Sequence, residues 1–358
     1  MNFKHLVLFA CILFFFNSCD DETDCCPMPE PENEAEFESG IFVLNEGNFG
    51  SANASVSFIN MNEGQNKAQV FNSINGYSLG DTAQSIEMHE SMALIVVNVS
   101  NKIEVVNRYT FQSLGSIQSN LDNPRFAEVV GERIFVTNWG DGMDAEDDFV
   151  SVFNLSDLSF IDSIPVSEGP EKIIASGEKL FVAHKGGFSF NNIVSQINAE
   201  SLIVETEIEV GDVPVSIVLD GNDLWVLSSG KPSYADNETA GQLSKIDVIT
   251  NEVTESYEYP QSDMHPANLK LSGNKAYFTI DKAVFELTPG EELPATSKFE
   301  MEEVEVLYGF EIYQNMIYVA SPHLDFTGDG SLYIYDLSEG RLIEKFTTGI
   351  NPNGIYFN

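Results

Sequence analysis

The chain has 358 residues, and its 17 basic and 56 acidic side chains give a net charge of −39 at pH 7. Nucleic acid and anionic lipid surfaces repel such a charge, so both are excluded as natural partners. The composition suits a surface protein and leaves room for bound calcium.

The first 18 residues predict a secretory signal peptide. Lys4 precedes the apolar run LVLFACILFFF at 6–16, which is too short to span a bilayer comfortably. Cys19 follows the small residue Ser18, at the place where bacterial lipoproteins carry their lipidated cysteine. We therefore predict lipidation at Cys19, with ordinary secretion and cleavage nearby as the alternative.

Residues 19–39 predict an acidic, disordered tether. The segment is rich in Asp, Glu and Pro and has few large apolar side chains, so it buries too little surface to fold. Cys25 and Cys26 lie in this tether, and their bonding state stays open. The remaining chain, 40–358, contains no cysteine, which excludes disulfides and thiolate metal sites from the fold.

A strand-like pattern recurs through 40–358. A turn precedes an alternating β-branched and aromatic run that ends in a small polar residue. Seven copies occur, at 40–45, 93–98, 133–138, 179–184, 223–228, 275–280 and 316–321. Two further strands follow each copy, most clearly within 149–166 and 193–210.

A shorter strand precedes each copy except the first. These six strands are predicted at 84–89, 125–130, 171–176, 215–220, 267–272 and 308–313. The seventh is the C-terminal NGIYFN at 353–358. Four-stranded units at this period predict an all-β, seven-bladed β-propeller, closed by the C-terminal strand joining the N-terminal blade. Two separate β-sandwiches are the alternative fold.

The two ends of this propeller differ in their loops. If the strands of a blade are named A to D from the centre outward, the B–C and D–A loops share one face. The A–B turns on the other face are tight, whereas the B–C loops are long, which favours a binding site on the B–C face. The B–C loops lie at 46–55, 139–148, 185–192, 229–241 and 322–330.

That face gathers amides, aromatics and histidines that predict a binding surface. The candidate ligand-binding residues are Asn45, Asn48, Phe49, Asn98, Arg125, Asn138, Trp139, His184, Phe188, Tyr234, His265, Tyr308 and His323. For each one the alternative is a structural role, either packing between blades or a hydrogen bond to the backbone. Metal-dependent hydrolysis by the three histidines is a further alternative.

Catalytic signatures are otherwise missing from the sequence. It contains no GxSxG, Walker or GxGxxG motif, so we expect a protein that is not an enzyme and has no cofactor. The acidic, glycine-containing runs at 140–148 and 325–330 leave a structural calcium site open, but neither matches an EF-hand loop.

Three N-terminal segments carry a family resemblance, namely GIFVLNEGNFGSANASVSFIN at 40–60, GYSLGDTAQSIEM at 76–88 and IVVNVSNKIEVVN at 95–107. They resemble the DUF5074 propeller lipoproteins of Bacteroidetes, and the blades resemble YncE-like (YVTN) propellers. The DUF5074 group includes the BtuG-like proteins that capture vitamin B12. The acidic stretch after Cys19 is similar to the surface-export signal of such lipoproteins.

The resemblance implies a lipid-anchored protein on the outside of the outer membrane. It implies non-catalytic binding of cobalamin or another corrinoid on one propeller face, and transfer to a TonB-dependent outer-membrane transporter. No individual cobalamin contact is transferred, because the long loops are where relatives should diverge. A surface adhesion or scaffold propeller without a small ligand is the first rival, and a lactonase or other hydrolase is the second.

Overall fold

The computed structural model describes residues 36–62 and 64–358 of the chain. The predicted signal peptide, Cys19, Cys25, Cys26 and most of the tether lie outside the described residues. Within them the protein is all-β with one short helix. The elements in chain order are β1 (Ile41–Asn45), β2 (Ser55–Asn60), β3 (Gln65–Lys67), α1 (Val70–Asn75), β4 (Ala83–His89), β5 (Met92–Val97), β6 (Lys102–Asn107), β7 (Ser113–Ile117), β8 (Pro124–Val130), β9 (Arg133–Asn138), β10 (Phe149–Asn154), β11 (Phe160–Pro165), β12 (Pro170–Ser176), β13 (Lys179–His184), β14 (Ile193–Asn198), β15 (Ile203–Glu209), β16 (Pro214–Asp220), β17 (Asp223–Ser228), β18 (Gln242–Asp247), β19 (Glu252–Glu258), β20 (Ala267–Ser272), β21 (Lys275–Ile280), β22 (Ala283–Leu287), β23 (Phe299–Glu300), β24 (Gly309–Tyr313), β25 (Met316–Ser321), β26 (Asp329–Asp336), β27 (Leu342–Ile350) and β28 (Pro352–Phe357).

Across the described residues these strands form seven antiparallel, four-stranded sheets, and each sheet is one blade. Blade 1 is β4–β7, blade 2 β8–β11, blade 3 β12–β15, blade 4 β16–β19, blade 5 β20–β23 and blade 6 β24–β27. Blade 7 has the order β28-β1-β2-β3. The inner strands β4, β8, β12, β16, β20, β24 and β28 contact one another in sequence around a closed ring. The predicted seven-bladed propeller is confirmed.

The C-terminal strand closes the ring. Antiparallel pairing of β28 with β1 places Ile41 opposite Phe357 and Val43 opposite Ile355. Arg108 of blade 1 donates a hydrogen bond to the Phe357 carbonyl at 3.1 Å and another to the Asn358 side chain. Residues from both chain regions therefore complete blade 7, and the terminal strand is paired along β1 and faces the central channel.

The core consists of hydrophobic clusters between neighbouring blades, seven of them among the described residues. The strands β5, β9, β13 and β17 are buried at nearly every position because a neighbouring blade covers each face of the sheet. Their residues are therefore almost continuously apolar, as expected for strands covered on both sides.

Packed structure begins before residue 40. Phe37, within the segment predicted as tether, is fully buried in the cluster between blades 7 and 1. Its ring lies 4.9 Å from that of Phe58 in an edge-to-face arrangement, and its N–H donates to the Tyr109 carbonyl at 3.0 Å. The last few residues of the predicted tether are thus anchored on the propeller, because one aromatic ring buries enough apolar surface to hold them.

Candidate ligand-binding channel

A cavity of about 570 Å³ occupies one end of the central channel. Glu46 and Lys185 follow B strands, and Thr82 and Tyr308 precede A strands, so the cavity opens among the B–C and D–A loops. All seven blades contribute to its wall. The lining residues are Glu46, Thr82, Gln84, Arg125, Phe126, Glu171, Lys172, Lys185, Val215, Ser216, Ile217, Ala267, Asn268, Leu269, Lys270, Tyr308, Gly309, Phe310, Glu311, Asn353, Gly354, Ile355 and Tyr356.

A repeated backbone irregularity points side chains into this cavity. Six inner strands carry one residue more than their partner at the end nearest the loops, so the pairing register shifts there. Bulges of this kind re-aim side chains and are frequent beside functional sites. The residues within the irregular segments all line the cavity: Gln84, Arg125, Phe126, Glu171, Lys172, Val215, Asn268, Leu269 and Asn353.

The approach to these bulges is sharply turned. The residue before the inner strand has a left-handed backbone in five blades of the described chain, with φ of 57° at Thr82, 54° at Asn123, 67° at Gly169, 59° at Val213 and 52° at Asn351. This conformation is unfavourable for β-branched residues such as threonine and valine. A proline follows four of these five residues and fixes the start of the strand.

One wall of the cavity is a charged cluster from blades 2 and 3. Arg125 donates two hydrogen bonds to the carboxylate of Glu171, at 2.9 and 3.0 Å, and the ammonium of Lys185 lies 3.5 Å from the same carboxylate. The Arg125 guanidinium lies 4.0 Å from the ring centroid of Trp139. Burial raises the pKa of Glu171, but the charges of Arg125 and Lys185 outweigh it and lower the pKa to about 2. Glu171 is therefore ionised and neutralised in place.

Two further lysines line the cavity, Lys172 and Lys270, and they differ in their partners. Lys270 forms an ion pair with Glu311. Lys172 has neither a hydrogen bond nor an ion pair to any described residue, and its ammonium lies 4.4 Å from the ring centroid of Phe126. Burial and the positive charge of Lys270 lower the pKa of Lys172 to about 8.

Blades 6 and 7 contribute a polar group at the mouth. Glu46 accepts hydrogen bonds from Asn353 at 3.1 Å and from the hydroxyl of Tyr308 at 3.4 Å. Burial raises the pKa of Glu46, and burial together with the charge of Glu46 raises the pKa of Tyr308 to about 12. The Oδ1 of Asn353 is buried and has no hydrogen-bond partner among the described residues.

Two candidate residues from the sequence, Arg125 and Tyr308, line the cavity. Four others bind the backbone of neighbouring strands and loops. Asn45 and Asn138 accept hydrogen bonds from the backbone N–H of Gly349 (3.0 Å) and Asp122 (2.9 Å). Asn98 donates to the Pro124 carbonyl at 3.0 Å and His184 to the Ser167 carbonyl at 2.7 Å. Trp139 is also buried, with its indole N–H on the Pro170 carbonyl at 2.9 Å, and supports Arg125 from behind.

The three histidines do not converge. Burial lowers the pKa of His184 to about 4, so its ring is neutral inside blade 3. His265 donates to the Ser229 carbonyl at 2.9 Å and faces Glu238, and His323 faces Asp325 at 2.8 Å. Each histidine has separate partners and none of them lines the cavity, so the three form no shared metal site in the described structure.

The remaining candidates lie in the loops of the same face and form its rim, where Phe49, Phe188, Tyr234 and His323 are exposed. Asn48 donates to the Phe326 carbonyl at 2.8 Å, which joins the B–C loops of blades 7 and 6. Among the described residues, the large apolar side chains that are more than 60% exposed are Phe49, Met143, Phe188, Tyr234, Ile249 and Leu324. All except Ile249 belong to B–C loops. The most exposed apolar side chains thus lie mainly on the face at which the cavity opens, as expected for an interaction surface.

The sequence reasoning missed most of the charged wall, including Glu46, Glu171, Lys172, Lys185, Lys270 and Glu311. One signal could have found part of it: a proline opens several inner strands, in NPRF (123–126), GPEK (169–172), HPAN (265–268) and NPNG (351–354). The residues after each proline fall in the irregular segments that line the cavity.

The described part of the chain shows neither a metal-binding cluster nor a membrane-spanning helix. No three His, Cys, Asp or Glu side chains come together there in a way that could hold a metal ion, so the calcium suggestion gains no support. The one helix described, α1, has six residues and is far too short to cross a bilayer.

These features define a class of protein: a seven-bladed β-propeller with a charged, loop-ringed cavity at one end of its channel. The chain belongs to the family described as "Domain of unknown function (DUF5074)", whose profile matches residues 39–357. No curated protein sequence matches the chain significantly.

Solved structures share the fold at low sequence identity. A functionally unknown protein from Desulfotomaculum acetoxidans DSM 771 has a TM-score of 0.64 at 11% identity, over 89% of this chain and 98% of its own. Dihydro-heme d1 dehydrogenase NirN, solved in complex with DHE, has a TM-score of 0.57 at 12% identity, over 92% of this chain and 76% of its own. BamB from Moraxella catarrhalis has a TM-score of 0.55 at 14% identity, over 89% of this chain and 88% of its own. At these identities the likeness shows the propeller fold alone.

Proposed function

We propose that this protein is a non-catalytic binding protein at the cell surface, held to the outer membrane through a lipid on Cys19. It captures a ligand at the channel mouth and delivers it to a TonB-dependent outer-membrane transporter. The observation that carries the proposal is the cavity of about 570 Å³, into which bulged inner strands direct polar side chains. Ligand sites are concave, few in number and supplied with a small set of placed polar groups.

A corrinoid is the ligand that we propose. It presents a broad ring face and a fringe of amides. The amides of Gln84, Asn268 and Asn353 line the cavity, and the Gln84 side chain, which has no hydrogen bond to a described residue, is available for the fringe, in place of the amides of Asn45, Asn98 and Asn138. Exposed Phe188 and Tyr234 at the rim supply apolar surface for a ring lying across the mouth.

Isothermal titration calorimetry of the full chain with cyanocobalamin tests this function. We expect saturable binding at one site per chain. Replacing both rim aromatics, Phe188→Ala with Tyr234→Ala, should weaken it roughly tenfold or more, since aromatic anchors dominate such contacts. Ile249→Ala is the matched control, because Ile249 is 65% exposed in the C–D turn of blade 4, away from the mouth. Absence of binding at micromolar protein would eliminate the corrinoid.

The exposed rim also supports the rival function of adhesion or scaffolding without a small ligand. The two functions differ in whether uptake by the transporter depends on this protein. If the protein captures a ligand, a TonB-dependent receptor should co-purify with it from cross-linked outer membranes, and that receptor should transport a corrinoid. Deletion of the propeller should then impair corrinoid uptake at low corrinoid concentration. Normal uptake in its absence would favour the scaffold.

A further inference from the structure

We infer that the cavity holds an anionic group of its ligand, a carboxylate or a phosphate, on the ammonium of Lys172. This inference rests on the proposed function for the existence of a ligand and adds the charge that the ligand carries into the cavity.

The cavity concentrates positive charge in a protein that has little of it. Of the 17 lysines and arginines in the chain, Arg125, Lys172, Lys185 and Lys270 line this one cavity. Its wall holds three carboxylates, at Glu46, Glu171 and Glu311. With every group ionised the wall therefore carries one positive charge, against −39 for the whole chain.

One of these cations lacks a direct partner. Glu171 is matched by Arg125 and Lys185, and Glu311 is matched by Lys270. Glu46 is held by the neutral groups of Asn353 and Tyr308. Among the lining cations only Lys172 has no anion within ion-pair distance in the described structure, and a ring face is its nearest recorded contact.

An unmatched ammonium in a recess is costly unless something compensates it. The Phe126 ring compensates part of the charge through its quadrupole. Burial, with the charge of Lys270, lowers the pKa of Lys172, and the carboxylates of Glu171 and Glu311, which lie beyond ion-pair distance, offset this only in part. An anionic ligand group would supply the missing partner, and a lysine accepts carboxylate and phosphate alike because its ammonium acts as a point charge.

The strongly negative surface of the protein does not prevent this. At physiological ionic strength the Debye length is about 8 Å, so surface charges beyond that distance are largely screened for a group already inside the cavity. The field there comes from the adjacent wall. The negative surface would instead slow the approach of a free anion, so the effect should appear in the association rate.

Trp139 offers a local probe of occupancy, since it lies under Arg125 and 5.1 Å from the Lys185 ammonium. The full chain and a Trp225→Phe variant, which leaves Trp139 as the single tryptophan, are titrated with sodium phosphate and, separately, with sodium propionate at constant ionic strength. We expect a saturable fluorescence change with at least one of the two anions, and the stronger response identifies the ligand group as phosphate or carboxylate.

Three variants assign the response. Lys172→Met should weaken the anion affinity about tenfold or more, because hydrogen bonds to charged groups are strong. Lys172→Arg should retain it. Lys345→Met is the matched control and should change nothing, since Lys345 also lies over an aromatic ring, 4.7 Å from the centroid of Tyr333, but outside the cavity.

The outcomes separate this inference from the proposed function. Anion binding that depends on Lys172, together with no binding of cyanocobalamin, would overturn the corrinoid and keep the anionic group. Cyanocobalamin binding with no anion response, or with an identical response in Lys172→Met, would overturn the inference and keep ligand capture. Circular dichroism of Lys172→Met at the titration temperature verifies that the variant is folded, and Lys172→Gln, which also removes the charge, replaces it if it is not.

Discussion

Glu171 is the residue on which the charged wall of the cavity depends. It is almost fully buried and holds the guanidinium of Arg125 through two hydrogen bonds. Glu171→Gln should lower the free energy of unfolding by about 3 kcal/mol, because it leaves Arg125 charged and poorly compensated. Urea denaturation at pH 7 measures this loss.

The pH dependence of that loss has a defined sign. The pKa of Glu171 is about 2 in the folded protein, below its ordinary value, so its contribution is fully present above pH 4.5 and disappears as the pH falls towards 2. The gap between wild type and variant should close over this range. Glu339→Gln is the control, since its pair with Arg341 is exposed, and a shift above about 0.5 kcal/mol there would contradict the distinction.

Glu87 should behave in the opposite way. Burial, with a smaller contribution from Glu128 on the neighbouring inner strand, raises its pKa to about 8. Between pH 4.5 and 8 the folded state keeps a proton that the unfolded chain has lost, so stability falls as the pH rises, by at most about 1.4 kcal/mol per pH unit for one group. Glu87→Gln removes this penalty.

The stability of Glu87→Gln relative to wild type should therefore increase from pH 5 to pH 8 in thermal melts. Exposed Glu344→Gln serves as the reference and should give a constant difference across the same range. A flat difference for Glu87→Gln would mean that this carboxyl titrates normally.

At the scale of the element, the closing strand β28 does more than complete blade 7. The hydroxyl of Tyr356 accepts a hydrogen bond from the backbone N–H of Ile86, on the inner strand of blade 1, at 2.9 Å. Tyr356→Phe should cost about 1–3 kcal/mol in urea denaturation, because it leaves a buried donor without a partner. Tyr313→Phe, whose hydroxyl only accepts from the side chain of Gln314, should cost under about 0.5 kcal/mol.

Strands and their order were predictable from the sequence, whereas the wall of the cavity was not. The seven copies of one strand pattern gave the blade count, and the unpaired C-terminal strand gave the closure. A bulge adds one residue to a strand without changing its composition, so the residues that it turns inward carry no periodic signal. The helix α1 was missed because VFNSIN is six residues long and half β-branched or aromatic.

The polar residue that ends the B strand has a structural role that the sequence pattern does not reveal. Asn45, Asn138 and His184 occupy this position in three blades; Asn138 and His184 bind the backbone of a D–A loop, and Asn45 binds the backbone near the end of β27. A repeated polar residue facing a binding face suggested recognition, but the repetition itself reflects the structural need to satisfy loop backbone groups.

At the scale of the whole molecule, the net charge of −39 opposes the compact state through self-repulsion. Raising NaCl from 10 to 150 mM shortens the Debye length from about 30 to about 8 Å, so the melting temperature should rise over this range and then level off. Differential scanning calorimetry measures the rise.

Divalent salts make that prediction sharper. Screening depends on ionic strength and charge, so CaCl₂ and MgCl₂ at matched concentration should raise the melting temperature equally. A calcium-specific site would instead add a shift that grows with the logarithm of the calcium concentration once the site is saturated, and EDTA would reverse it. The acidic runs at 140–148 and 325–330 are where such a shift would have to originate, and charge-neutral variants of Asp144 or Asp329 that abolish it would locate the ion. Equal shifts in both salts would leave diffuse repulsion as the sole effect of the negative surface on stability.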